Sequence, residues 1–394
     1  MQAIILAAGK GTRCLPLTAT RPKVLLKAAN KTILEHNLEQ LKGLVDDVII
    51  VVGYMKEIVQ ELIGNRARYV EQKNLSGSGD ALRQCEKMIK DRFILLNGDD
   101  FYSRDDIKKC IAHYYAWLVK KVDDPQHYGV VECKKDIVVG FEERPKKPTS
   151  NYASTGCFVA DKSIFNAKLE KSKRGEFEAP DYMRALLGTK QVHAVQVQDY
   201  WIPIRYPWDL LGAQEILLDG IKTSIQGTVE RNVVVKGPLV LGKNSVIKSG
   251  TYIEGPVVIG ENCVVGPHAY IRGASSIGDN CKVGHCTELK NSILFDCSNI
   301  PHLSYIGDSV IGEHVNLGAG TTTANVRFDH GDVKSVVNKE KIPTGRKKLG
   351  AIVGDHAQTG IHTTLMPGVK LWNGVRVKAN ECVYEDVISP LSSN

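Results

Sequence analysis

The chain has 394 residues, 43% hydrophobic and 24% charged, and its 51 basic and 44 acidic side chains give a formal net charge of +7. That length predicts two or three domains of about 100–200 residues, and the charge balance excludes a disordered polyelectrolyte and calls for no nucleic-acid partner. The ten cysteines are scattered with no C-x-x-C pair, which argues against a disulfide miniature or a zinc ribbon and predicts reduced thiols in a cytoplasmic protein.

Near the N-terminus, Ala3 to Ala8 is an apolar run that passes into Gly9-Lys10-Gly11, as for a buried parallel strand ending in a glycine-rich loop. No basic stretch precedes it, and no apolar window approaches the roughly 20 residues of a membrane span, so neither a signal peptide nor a span is expected. Ile33, Leu34, Leu38, Leu41 and Leu44 follow at helical spacing. Val48 to Val52 is unbroken β-branched sequence, and Phe93 to Leu96 is a further short apolar run before Asn97-Gly98-Asp99-Asp100. Strand, helix and strand in this order predict a Rossmann-like α/β domain over residues 1–222, with a parallel sheet covered on both faces. Ligands in such sheets gather beyond the carboxyl ends of the strands, where both polar clusters fall.

From Thr223 onward short units recur, each with Ile or Val before Gly, as in Val258-Ile259-Gly260, Ser276-Ile277-Gly278 and Val310-Ile311-Gly312. Ile259 and Ile277, Cys263 and Cys281, and Ile293 and Ile311 each lie 18 residues apart. Three six-residue units per turn predict a parallel β-helix, a hexapeptide-repeat coil, over residues 223–394. That stacking accounts for the paired cysteines as core residues, and the same reading covers Cys286 beside His285. The period breaks between Thr321 and Leu349, in a stretch that ends with Lys339, Lys341, Arg346, Lys347 and Lys348. Insertions in a solenoid map to loops on one face, and five cations there predict an anion site.

The segment Leu6-Ala7-Ala8-Gly9-Lys10-Gly11-Thr12-Arg13 has glycines where backbone N–H groups approach a phosphate, with Arg13 as a bidentate donor and Arg21-Pro22-Lys23 as a second cationic element. These residues resemble the sugar-1-phosphate nucleotidylyltransferase family, whose signature is L-A-A-G-x-G-T-R followed by P-K. The resemblance continues through Gln72, Gly77-Ser78-Gly79, Asn97-Gly98-Asp99, Tyr128-Gly129-Val130 and Glu143-Arg144-Pro145. It implies that Leu6, Ala8, Gly9, Gly11, Gln72 and Gly77 bind a nucleoside triphosphate, that Arg13 and Lys23 are catalytic, and that Gly129 and Glu143 hold the sugar phosphate. It also implies Mg²⁺ at Asp99, a hard cation suited to carboxylate oxygen. Two departures stand out. Where the family reads Y-W-x-D-I-G-x-P, this chain reads Tyr200-Trp201-Ile202-Pro203-Ile204-Arg205-Tyr206-Pro207, and Pro203 cannot ligate a metal. Asp100 and Asp209 are the candidates to stand in. The second is Ser154-Thr155-Gly156 in place of N-A-G or N-T-G.

The coil carries a dense polar series: Glu288-Leu289-Lys290, Pro301-His302-Leu303-Ser304-Tyr305, Val315-Asn316-Leu317 and Asn325. This series resembles the acetyltransferase half of bifunctional uridylyltransferase/glucosamine-1-phosphate acetyltransferases of archaeal type, and with it the resemblance covers nearly the whole chain. It implies a left-handed coil, with His302 as the general base toward the amino group of a hexosamine 1-phosphate. Imidazole, with an unperturbed pKa of about 6.5, suits that task. It further implies Arg272 and Lys290 on the sugar phosphate, Tyr305 and Asn316 on the sugar, and Asn325 orienting His302 or the amine. Acetyl-CoA would lie against Ala319, Lys347, Lys348 and Ala351, and the chain would assemble as a homotrimer or a dimer of trimers. The substrates so implied are glucosamine or galactosamine 1-phosphate, acetyl-CoA, and UTP or dTTP. Two narrower readings compete: a nucleotidylyltransferase whose coil only oligomerises it, and a non-catalytic regulatory subunit, for which Pro203 is the best support.

Overall fold

A computed structural model of the chain describes residues 1–172 and 175–388. The chain divides into two compact units that interleave in sequence. The first comprises Met1–Lys10, Pro22–Leu25 and Ile33–Ile204; the second comprises Gly11–Arg21, Leu26–Thr32 and everything from Arg205 onward.

The first unit is built on a nine-stranded sheet. Its strands are β1 (Gln2–Ala7), β2 (Asp47–Val52), β3 (Arg68–Glu71), β4 (Arg92–Asn97), β5 (Ala116–Lys121), β6 (Gly129–Lys134), β7 (Ile137–Glu143), β8 (Tyr152–Asp161) and β9 (His193–Gln196). They lie in the order β3-β2-β1-β4-β8-β5-β9-β7-β6. The sheet is mixed rather than wholly parallel. Strands β3, β2, β1 and β4 are parallel, whereas β8 runs antiparallel to both β4 and β5. Alternate residues of β1 feed two cores, Ile4 joining Val51, Leu95 and Trp117 on one face, and Ala3 and Ile5 joining Ile50, Leu96 and Leu118 on the other. The helices α1 (Ile33–Leu41), α2 (Lys56–Ile63) and α4 (Arg104–Ile111) cover the second face through Leu34, Val59 and Ile107. The helices α3 (Ser78–Arg83) and α5 (Ala179–Leu186) cover the first through Leu82 and Met183. Helix α1 stops at Leu41 rather than Leu44, where the Leu44 amide closes a turn onto the Leu41 carbonyl.

The second unit is a left-handed parallel β-helix of three eight-stranded sheets. Leu241, Ile259 and Ile277 stack in register, as do Val265 and Val283, and their side chains form one continuous interior stripe. The coil does not keep a uniform step. Ser276 pairs with Ile293 and Ile277 with Leu294, so Ile293 stacks below Val310, not Ile311. One residue is dropped at the corner that contains Asn291, whose φ of 44° turns the chain in the left-handed region. Cys263 and Cys281 are buried inside the coil, whereas Cys286 is exposed at a corner with its sulfur 3.3 Å from His285 Nε2. The aperiodic stretch is an insertion carrying a hairpin, Lys334–Val337 against Glu340–Pro343, before the coil resumes at Ile352.

Segments 11–21, 26–32 and the helix α6 (Asp209–Leu218) pack with the coil. Gln214, fully buried on α6, donates to the Ala274 carbonyl at 2.7 Å and accepts from the Ser276 hydroxyl. No described helix is long and apolar enough to cross a membrane.

Candidate active sites

In the first unit, the turn after β4 is pressed against the end of β1. The Gly98 amide donates to the Leu6 carbonyl at 2.9 Å, and a Cβ at Gly98 would stand 2.6 Å from that oxygen, so only glycine fits. This seats Asp99 beside Leu6 with its side chain 41% exposed, and its Oδ2 accepts from Lys23 Nζ at 2.7 Å. Asp100 points the other way. It is buried, and its carboxylate accepts from Trp201 Nε1 at 3.1 Å. Pro203 pairs with Asp100 across the short ribbon formed by Asp100–Tyr102 and Trp201–Pro203.

The other expected positions group in pairs. Gln72 is buried, and its amide donates to the Gly77 carbonyl at 3.0 Å and to Asp80 at 2.8 Å. Gly77, at φ 111°, fits its backbone against Phe177. Gly129 and Glu143 are opposed on β6 and β7, and a Cβ at Gly129 would lie 2.8 Å from the Glu143 carboxylate. Gly156, the glycine of the altered Ser154-Thr155-Gly156 motif, has φ 76° and leaves room for Asn97, whose amide nitrogen would otherwise be 2.0 Å from a Cβ. Ala8 is buried, and Gly9 is exposed with open space where a side chain would project.

Gly11 and Arg13 are described with the second unit. Gly11 has φ 64°, its carbonyl accepts from the Thr18 hydroxyl at 2.9 Å, and Arg13 is exposed on the short 3-10 turn Thr12–Cys14. Arg21 belongs by sequence to the same cationic element as Lys23 but is placed differently. It is buried in the second unit, bonded to Glu313 and Asp355. Burial works against its charge, but the two carboxylates outweigh that and hold its pKa above the ordinary value. Asp209, the first residue of α6, accepts from the amides of Arg205 at 2.7 Å and Tyr206 at 2.8 Å in the turn before the helix.

On the coil, Arg272 and Lys290 are register partners one turn apart, and Glu288 and Tyr305 are another such pair. Arg272 Nε donates to Glu288 at 2.7 Å, which raises the arginine's pKa. Asp308 is the hub. Its buried carboxylate, 3% exposed, accepts from Lys290 Nζ at 2.8 Å, Asn291 Nδ2 at 2.9 Å and Asn325 Nδ2 at 2.5 Å. Asn325 also donates to the Tyr305 hydroxyl at 3.1 Å. Its amide is thereby committed to Tyr305 and Asp308, and among the described residues it makes no hydrogen bond to His302. The 17-residue step pairs Lys290 with Gly307 on the next coil, and the lysine reaches the neighbouring Asp308 at the corner that follows.

His302 ends the strand Asn299–His302, stacked on His285. Its carbonyl is pinned by the Ser304 hydroxyl at 2.7 Å and the Gly320 amide at 3.2 Å, and its side chain is exposed. Asn316 is exposed and paired with Asn299 and Gln358. Ala319 is half-buried. Ala351, by contrast, is fully buried in the coil interior with its amide on the Ser309 hydroxyl and its carbonyl on the Val310 amide, so it presents no surface to a ligand. A cavity of about 540 Å³ at this corner is lined by Lys290, Asn291, Asp308, Arg346, Lys347 and Lys348, with Glu215 of α6 on one side. Lys339 and Lys341 belong to the hairpin and do not line it. Sequence reasoning missed Asp308, Asn291 and Glu215. A buried acid at a coil corner leaves no periodic signal, though Asp308 does follow Ile306-Gly307 where the repeat places its turn.

Comparison with known proteins finds matches to both halves of the chain. A nucleotidyl transferase family model matches residues 2–220, and a GMPPB C-terminal domain model matches residues 253–342. The chain is 39% identical to the bifunctional protein GlmU of Methanocaldococcus jannaschii over 99% of this chain and 96% of that protein. It is 36% identical to a bifunctional sugar-1-phosphate nucleotidylyltransferase/acetyltransferase of Sulfurisphaera tokodaii over 98% of each. A crystal structure from Bacillus anthracis, provisionally described as a glucose-1-phosphate thymidylyltransferase in complex with sucrose, superposes with a TM-score of 0.50 at 26% identity, covering 57% of this chain and 97% of that one. The end-to-end matches set aside a coil that only oligomerises and a non-catalytic subunit. The chain belongs to the family of bifunctional sugar-1-phosphate nucleotidylyltransferase/acetyltransferases.

Proposed function

We propose that the chain acetylates an amino-sugar 1-phosphate, glucosamine or galactosamine, with acetyl-CoA, and couples the N-acetylated product to UTP or dTTP with release of pyrophosphate. The division of labour follows the sequence, with nucleotidyl transfer by residues 1–222 and acetyl transfer by residues 223–394. The observation that carries this reading is the network joining Lys290, Asp308, Asn325 and Tyr305, a connected polar constellation that includes the buried carboxylate of Asp308.

In acetyl transfer, Arg272 and Lys290 hold the phosphate, while Tyr305 and Asn316 hold the sugar. His302 takes a proton from the amino group as its nitrogen attacks the thioester carbonyl carbon. The new C–N bond forms, the C–S bond breaks, and coenzyme A departs as thiolate. Arg346, Lys347 and Lys348 offer cations to the phosphates of the coenzyme, beside Ala319. In nucleotidyl transfer, an oxygen of the sugar phosphate attacks the α-phosphorus in line. Lys23 and Arg13 stabilise the charge that develops on departing pyrophosphate, while Gly9, Gly11, Gln72 and Gly77 seat the nucleotide and Gly129 and Glu143 the sugar.

Asp99 fits a Mg²⁺ ion. It is the acid of its turn that remains at the surface, and Mg²⁺ is commonly held by one or two carboxylates plus substrate phosphates. Asp100 and Asp209 are committed to Trp201 and to the start of α6, which leaves Asp99 to carry the role. When bound, the ion supplies positive charge to the triphosphate.

A homotrimer accords with Leu303, 62% exposed beside His302, and Phe328, fully exposed in the inserted loop. Sedimentation equilibrium tests it. Mass spectrometry of hexosamine 1-phosphates incubated with acetyl-CoA, then with each triphosphate and Mg²⁺, tests the chemistry. Failure of every amino sugar to gain an acetyl group would overturn the acetyl-transfer half.

A further inference from the structure

Two successive corners of the coil, at Asn291 and Asp308, hold the chain in the left-handed region, with φ of 44° and 49°. Asparagine and aspartate enter that region more readily than other residues with side chains. The main chain fixes Asp308 there, its amide donating to the Lys290 carbonyl at 2.8 Å and its carbonyl accepting from the Gly350 amide at 2.9 Å. From this corner the carboxylate reaches back to Lys290 and Asn291 and forward to Asn325, 17 residues on. Oδ1 takes the Asn291 amide, while Oδ2 takes both Lys290 Nζ and Asn325 Nδ2.

An acid whose side chain is 3% exposed requires compensation, and two of the groups that supply it here have further capacity. Lys290 gives Asp308 one of its three ammonium N–H groups and keeps two. Its side chain, 17% exposed, lines the cavity at this corner. Asn325 divides its amide between Asp308 and the Tyr305 hydroxyl. A single oxygen, Asp308 Oδ2, therefore sets where the ammonium stands and, through Asn325, where the phenol stands. A lysine side chain is long and rotamer-rich, so a fixed acceptor removes freedom that a ligand would otherwise have to remove on binding.

On the reading that Lys290 holds the sugar phosphate and Tyr305 the sugar, we propose that Asp308 is a positioning residue for acetyl transfer. It aims the free N–H groups of Lys290 into the cavity and holds Tyr305 through Asn325, so that phosphate and sugar are registered against each other before the amine reaches His302. It touches no reacting atom.

The test uses the full-length enzyme and the variants Asp308→Asn, Asp308→Gly, Lys290→Ala, Asn325→Ala and Lys290→Ala with Asn325→Ala, with both activities and thermal unfolding measured. Asp308→Asn removes the charge and Asp308→Gly the whole side chain, and both residue types suit a left-handed corner. In Asp308→Gly, KM for the amino-sugar 1-phosphate is expected to rise about tenfold and kcat of acetyl transfer to fall about tenfold to a hundredfold, on the scale of a misplacement of about 1 Å. Asp308→Asn falls between that variant and wild type. KM for acetyl-CoA and nucleotidyl transfer from pre-acetylated sugar phosphate stay within about twofold, as for independent sites. Because Lys290 and Asn325 meet on one oxygen, their double variant should lose less than the product of the two single losses. That cycle leaves Asp308 in place and decides the matter should the Asp308 variants fail to fold. Wild-type acetyl transfer in Asp308→Gly, with Lys290→Ala impaired, would overturn the proposal while leaving Lys290 its role. A lowered Tm with KM for the sugar phosphate unchanged would also overturn it, as a structural contact only, and so would losses at Lys290 and Asn325 that simply multiply. Unimpaired acetyl transfer in both Lys290→Ala and Asn325→Ala would instead remove the reading of the site on which it stands.

Discussion

Lys23 Nζ lies 2.7 Å from Asp99 Oδ2, joining a residue of the glycine-rich signature to the turn after β4, 76 positions later in the chain. The contact sets an ammonium and a carboxylate side by side at the carboxyl end of parallel strands, where ligands gather in sheets of this kind. Removing the cation in Lys23→Ala is expected to lower kcat for pyrophosphate release by about 10²–10³, the usual scale for one preorganised electrostatic group. Asp99→Ala is expected to weaken the Mg²⁺ dependence of the same rate. Titrating pyrophosphate release against Mg²⁺ for each variant checks both, and an unchanged Mg²⁺ midpoint in Asp99→Ala would remove Asp99 as the ligand.

His302 and the Lys23–Asp99 pair are built into different compact units. His302→Ala is therefore expected to abolish acetyl transfer, a loss of about 10²–10⁴ for a general base, while nucleotidyl transfer from pre-acetylated sugar phosphate keeps its wild-type rate. Coupled assays of each half-reaction on one preparation decide it. Loss of both in a folded protein would show that the two chemistries are not divided as proposed.

Asp47 accepts from Arg68 through both oxygens at the parallel edge of the sheet, with Gln2 as a further donor at 2.8 Å. The hydrogen bond from Arg68 lowers the Asp47 pKa in the folded state. A depressed carboxylate contributes stability above its unfolded pKa of about 3.9, and that contribution disappears as pH falls through the folded value. Arg68 is 45% exposed, so solvent screens the pair and Asp47→Asn should cost only about 0.5–1 kcal/mol at pH 7. Urea unfolding at pH 7 and near pH 3 should show the gap between wild type and variant closing at the lower pH.

Much of this architecture is legible from residue patterns. The β-branched run ending at Val52 and the recurrence of Ile259 at Ile277 each specify an element, because burial on both faces or inside a coil demands apolar side chains at fixed intervals. What escapes the pattern is set by single residues. The antiparallel insertion of β8 beside β4 is chosen by long-range packing, not by local periodicity. The shortened step at Asn291 is a one-residue deletion that a search for intervals of 18 overlooks, and it displaces the register of Ile293. Arg21 reads with Pro22 and Lys23 as one cationic element, yet its partners Glu313 and Asp355 lie about 300 residues away in sequence. Ala351, carried over by resemblance, proves to be core because the coil resumes through it.

Gly307 offers a way to disturb the network proposed for acetyl transfer without breaking the coil. A Cβ there would approach the Tyr305 hydroxyl to 2.5 Å and Asn325 Nδ2 to 2.8 Å. Both are the ends of side chains, so Gly307→Ala should leave the backbone intact and push the two groups off their mutual hydrogen bond. Acetyl transfer should then fall about tenfold or more, in line with the cost of small misplacements at a reacting centre, with nucleotidyl transfer unchanged. Gly284→Ala is the contrasting control. Its Cβ would stand 1.9 Å from the Pro301 carbonyl oxygen, a backbone atom of the next coil, so the coil itself must yield and thermal stability should drop along with acetyl transfer. Differential scanning fluorimetry beside both activity assays separates the two effects. A Gly307→Ala enzyme that acetylates at the wild-type rate would show that Tyr305 and Asn325 need not be held where they stand.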